Sequence, residues 1–230
     1  MKKTTYNWAE IWDWGIKDPQ IYDVAFTHRS ALNENSNLSE HNERLEFLGD
    51  AVLELIVTEY LFQHFPQLEE GVLTNLRASL VKRETLAKIA KELQLGTYLQ
   101  IGKGEEQLGG RDKLSLLANV FEALLGAIYL DAGLNKAKQF VYEHLIPLLS
   151  EITSTGSYID AKSHFQELAQ SRFKITPHYQ ELSTRGPDHN KIFEVGAFLG
   201  NKECGRGYGP SKQSAQQEAA RDALKKLGEK

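Results

Sequence analysis

The chain has 230 residues, enough for one large domain or two smaller ones, and its 41% hydrophobic and 25% charged residues give an ordinary globular composition. Cys204 is the only cysteine, which excludes an intrachain disulfide and fits a reducing compartment. The net charge of −4 argues at face value against a nucleic-acid partner, yet residues 1–150 hold 15 basic and 21 acidic side chains (−6) while residues 151–230 hold 12 and 10 (+2), so the second part could anchor a polyanion.

Met1-Lys2-Lys3 is followed by Glu10 and Asp13 rather than by a continuous apolar core, so no signal peptide is expected. No uninterrupted apolar run is read as long enough to span a bilayer, and the expectation is a soluble, cytoplasmic protein with no membrane partner. Trp8, Trp12 and Trp14 cluster near the start, which fits core packing or a dimer contact. Amphipathic periodicity predicts helices over Arg44–Phe65, Val72–Leu93 and Leu114–Asp131, with a further segment at Asn135–Ser150. In the first of these, Leu45, Leu48, Val52, Leu55, Ile56 and Tyr60 recur at helical spacing; Pro66 ends it and Gly71 opens the next. Gly102, Gly104, Gly109 and Gly110 mark a loop, and Gly133 sits where a helix stop is expected.

Composition changes at residues 151–158, which are small and polar and read as a linker between a helical domain, residues 1–150, and a second domain, residues 159–228. The second domain shows a helix pattern at Ala161–Arg172 and strand patterns at His178–Ser183, Lys191–Phe198 and Asn201–Tyr208. Turns fall at Gly186-Pro187-Asp188 and Gly200-Asn201, and a helix over Lys212–Leu227 closes the chain. The fold class expected is therefore multidomain: an all-α domain followed by a small α+β domain of order α-β-β-β-α.

Two acidic groups carry the chemistry. Asp50 is hemmed in by Leu48, Gly49, Ala51, Val52 and Leu53, and Glu122 lies in a nearly unbroken apolar run, so both are expected to be buried and to need a strong partner. Glu43, Glu46 and Asp50, three and four apart, share one helical face, and Asn119 and Glu122 share another. Two such faces packed together make a set of oxygen donors suited to a hard divalent cation such as magnesium, which can activate water and stabilise charge on a phosphoryl group. For Glu43, beside Arg44 and near His41, a plain solvated acid is an equal reading. Gly102-Lys103-Gly104 has no Gly-Lys-Ser/Thr after it and no strand before it, which excludes a nucleotide-phosphate loop; the scattered histidines and lone cysteine exclude a zinc site.

The block Asn42-Glu43-Arg44-Leu45-Glu46-Phe47-Leu48-Gly49-Asp50-Ala51-Val52-Leu53 resembles the signature of the ribonuclease III family. Thr27-His28-Arg29-Ser30, Glu70-Gly71-Val72-Leu73-Thr74-Asn75-Leu76-Arg77-Ala78, Gly109-Gly110-Arg111 and Phe121–Asp131 agree in order, and the C-terminal part is similar to a double-stranded-RNA-binding domain. The resemblance implies a homodimeric, magnesium-dependent endoribonuclease (manganese substituting) that cuts double-stranded RNA to 5′-phosphate and 3′-hydroxyl ends, in ribosomal-precursor and messenger processing. It implies Asp50 and Glu122 as catalytic residues, Glu46, Asp50, Asn119 and Glu122 as metal ligands, and Glu43 and Glu70 as supporting acids. One position departs: the family usually has aspartate where this chain has Asn119, which should lower metal affinity and leaves open a catalytically weak or inactive duplex-RNA-binding protein. For RNA, the resemblance points to Ser163, Gln166 and Glu167 on the first helix of the second domain, His189 in the turn, and Arg206 and Lys212 near the last helix. Family members often carry two lysines at that helix start; here Lys212 is followed by Gln213, so a weaker phosphate grip is expected.

Overall fold

The computed structural model describes residues 6–12, 15–36, 38–155, 160–187 and 191–228. The chain divides into two compact units, Met1–Tyr158 and Ile159–Lys230. Each has its own apolar core.

In the first unit the helices are α1 (Trp8–Ile11), α2 (Pro19–Ala25), α3 (Arg29–Leu32), α4 (Glu43–His64), α5 (Glu70–Val81), α6 (Arg83–Glu92), α7 (Lys103–Gln107), α8 (Leu114–Ala132), α9 (Leu134–His144) and α10 (Leu149–Thr155). The core forms where α8 is enclosed by its neighbours, with Val120, Phe121, Leu124, Leu125 and Ile128 fully buried. By length and composition α8 is apolar enough to cross a membrane, contrary to the sequence expectation. Here it is a core helix, with 56% of that apolar window buried against protein. Trp8 is buried in an aromatic cluster with Trp12, Phe26 and Tyr98, so core packing accounts for it; Trp14 lies outside the described residues.

Two boundaries differ from expectation. The predicted segment Val72–Leu93 is two helices, broken where Lys82 adopts extended backbone (φ −65°, ψ 151°). The Thr85 hydroxyl donates to the Ser79 carbonyl across that break. The segment read as a linker from residue 151 is helical through Thr155, because Leu149 and Ile152 bury themselves in the core. Burial of an apolar pair outweighs the loop preference of Ser and Thr.

Polar ties fix the ends of these helices. Asp131, at the end of α8, accepts hydrogen bonds from the Lys17 and Asp18 amides and from the Tyr22 hydroxyl. The Asn42 amide donates to the Thr27 carbonyl, which anchors the start of α4. Arg111 donates through Nη1 to the carbonyls of Gly96 and Leu99 and through Nε to Glu106, so the Gly109-Gly110-Arg111 block is a bracket for the loop before α8.

The second unit is α11 (Ala161–Phe173), β1 (His178–Arg185), β2 (Ile192–Leu199), β3 (Lys202–Gly209) and α12 (Lys212–Lys226). The strands form an antiparallel sheet of order β1-β2-β3. Gly205 and Gly207 face α12 so closely that a β-carbon at either would overlap its backbone. The neighbouring residues Arg206 and Tyr208 therefore lie on the opposite face of the sheet. Asp160 caps α11, and Ser211 caps α12 through a capping box with Ser214.

Candidate active site and RNA-facing surface

The site is built where α4 crosses α8. A β-carbon at Gly49 would overlap the Glu122 carbonyl oxygen, and one at Gly126 would overlap the Leu45 carbonyl oxygen. The two glycines thus let the helix backbones touch. That contact sets Glu46 and Asp50 of α4 against Asn119 and Glu122 of α8.

The four side chains interact electrostatically. Burial pushes the Glu122 carboxyl up to about 7, reinforced by the negative charges of Asp50 and Glu46 and opposed by Arg83. Burial also raises Glu46, with Glu43 and Asp50 adding repulsion, while a hydrogen bond with the Asn119 side chain works against them. Glu43 is half-exposed and pairs with Arg29 at 3.4 Å, with His41 Nδ1 3.9 Å away. Glu70 stands exposed at the start of α5 and is not among the charges felt by Glu46 or Glu122.

Asp50 is exposed, not buried as its apolar sequence neighbours led one to expect. Adjacent residues on a helix point about 100° apart, so Val52 and Leu53 face the core while Asp50 faces out. Glu122 is half-buried. Among the described residues no three His, Cys, Asp or Glu side chains are closed into a ready metal cage. The donor chemistry nevertheless suits a hard divalent ion: carboxylate and amide oxygens only, with mutual repulsion that a cation would relieve.

In the second unit, Ser163, Gln166 and Glu167 share the exposed side of α11, with the Ser163 hydroxyl donating to Asp160. Lys212 is the first residue of α12. Arg206 does not join them. Its guanidinium forms two 2.9 Å hydrogen bonds with Glu203 and one with Glu194, on the sheet face away from the helices. Glu194 also accepts from Ser183 and Tyr208. His189 lies outside the described residues.

Two residues with clear electrostatic roles escaped the sequence reading. Arg83 lay in a charged run at an unrecognised helix start, and nothing in the pattern pointed it at Glu122. Glu181 sat in a strand of alternating polar residues and pairs with Lys212.

Residues 18–149 match the family model described as ribonuclease-III-like, and residues 161–227 match the double-stranded RNA binding motif. Curated relatives include Ribonuclease 3 of Protochlamydia amoebophila, 44% identical over 92% of this chain and 87% of the relative. Ribonuclease 3 of Pelotomaculum thermopropionicum is 48% identical over 91% and 88%. Among solved structures, the nuclease domain of ribonuclease III from Campylobacter jejuni, described for flexibility in a region involved in its dimer formation, aligns with a TM-score of 0.55. It is 42% identical and covers 60% of this chain and 92% of that one. A helical unit with an acidic helix crossing, followed by an α-β-β-β-α unit, is thus matched in order by both family models, and the chain belongs to the ribonuclease III family.

Proposed function

We propose that this chain is a magnesium-dependent endoribonuclease that hydrolyses phosphodiester bonds in double-stranded RNA, leaving 5′-phosphate and 3′-hydroxyl ends. The observation that carries this reading is the coupled carboxylate set across α4 and α8, in one chain with a fold of the double-stranded-RNA-binding type. An acidic cluster by itself repels a polyanion, so a cation must stand between them. Glu46, Asp50 and Glu122 would hold that ion, with the Asn119 amide oxygen as a neutral fourth donor. The ion, magnesium or manganese, supplies polarisation of the phosphate and activation of water. Glu122, pushed up to about 7 in the metal-free protein by burial and its acidic neighbours, carries the repulsion that a bound cation would relieve, and the bond from Asn119 holds Glu46 toward α8.

The working form in this proposal is a homodimer, which supplies one site per strand of the duplex. Phe47, on α4, is 80% exposed beside a groove of about 1210 Å³ whose lining includes Ile21, Val24, Leu48 and Leu130. An exposed aromatic beside a groove of mixed polar and apolar lining is the kind of surface that a second copy could cover under two-fold symmetry. Ribosomal-precursor and messenger transcripts in the cytoplasm are the substrates and setting that fit the family.

A labelled RNA hairpin incubated with protein tests the proposal directly. Cleavage is expected with magnesium and none with a chelator. Binding without cutting at any magnesium concentration would instead support a duplex-RNA-binding protein with a weakened site, a reading that Asn119 favours.

A further inference from the structure

The surface meant to meet phosphates carries a counter-charge of its own. Lys212 opens α12, and its ammonium reaches across β2, lying 5.9 Å from the centre of the Phe193 ring, to the Glu181 carboxylate on β1. The Nζ–Oε2 distance is 2.8 Å. The other oxygen of Glu181 accepts a 2.6 Å hydrogen bond from the Thr184 hydroxyl, so the carboxylate is held from both sides. Glu181 pairs in register with Val195, a core residue, which places it on the helix-facing side of the sheet. The hydrogen bonds from the lysine and the threonine both lower its pKa and favour the charged carboxylate.

We infer that Glu181 is an affinity-limiting residue of the duplex-RNA-binding surface: it occupies Lys212 in the free protein and must release it before a phosphate can be bound. The inference rests on the RNA-binding reading of the second unit and deepens it. With Gln213 next in line, Lys212 is the only cation in the first two positions of that helix. One acid therefore governs the helix's whole charge at its start. An exposed ion pair is weak enough for RNA to displace it, and strong enough to reduce binding to any duplex without a further hold. The consequence is selective. Duplexes engaged by the second unit alone bind poorly, and productive capture requires the nuclease unit as well.

The test uses the full chain in chelator, to prevent cleavage, with a fluorescent blunt RNA duplex read by anisotropy across a salt series. Glu181→Gln is expected to tighten binding about three- to fivefold at low salt and to steepen the salt dependence by about one ion. In a Lys212→Ala background the same substitution should change affinity by less than about half as much, because its target is gone. Wild-type binding with Glu181→Gln affinity unchanged or weaker would overturn the inference while leaving the RNA-binding reading standing. An equal gain in both backgrounds would also overturn it, since Glu181 would then act as bulk charge. Wild-type protein that fails to bind duplex RNA at all would overturn the RNA-binding reading, and this inference with it.

Discussion

Asn119 sits beside three acids whose repulsion is already visible in Glu122. An aspartate there would add a fourth negative charge, which strengthens metal binding and worsens the metal-free state. Asn119→Asp should therefore shift the magnesium titration of cleavage to lower concentration; a titration with no leftward shift would refute the neutral-donor argument. Glu122 gives a pH prediction. Its folded value lies above the ordinary one, so ionising it costs stability, and the cost grows as pH rises from about 4.5 toward 7 and is complete above that. In metal-free protein, Glu122→Gln should stabilise the nuclease unit by about 1–2 kcal/mol at pH 8, after discounting for solvent screening, and by nothing near pH 4. Melting curves at the two pH values, in chelator, decide it. Helical period made each stripe legible, Glu46 with Asp50 on one helix and Asn119 with Glu122 on another; that the two stripes meet was implied by the family resemblance and not by the period. The burial of Asp50 was misread because neighbours in sequence are not neighbours on a helix.

At the scale of elements, the crossing of α4 and α8 depends on having no side chain at two points. Gly49→Ala places a methyl group into the Glu122 carbonyl, and backbone, unlike a side chain, cannot swing away. The expected cost is about 3 kcal/mol or more, read as a lowered denaturant midpoint, with cleavage lost even where the fold survives. A variant as stable and active as wild type would mean that the helices can separate without disturbing the site. The long helices and the three strands were legible from periodicity and turn residues. The break at Lys82 was not, since no glycine or proline marks it and the Thr85 bond that closes it links residues six apart. The helix through Thr155 was hidden for the opposite reason, a loop-like composition overruled by Leu149 and Ile152.

At the scale of the whole molecule, the two units divide the labour of meeting a polyanion. The first is acidic and, in the proposed function, meets RNA through a cation; the second carries the positive balance. If pairing of two chains completes the enzyme, Phe47→Glu should give monomers in sedimentation velocity and lower cleavage at least tenfold, with duplex binding by the second unit largely retained. Dimers of the variant would place the interface elsewhere. Leu55 and Phe62 are also exposed on α4, although Leu55 belonged to the expected apolar stripe. The network of Arg206 with Glu203 and Glu194 has its own consequence for how RNA arrives. On that side of the sheet Arg206 is already shared between two carboxylates, so its charge is engaged before a duplex arrives and the patch offers a polyanion more repulsion than attraction. Under the proposed function that patch would disfavour landing on the outer face of the sheet and turn an incoming duplex toward the side that carries Lys212.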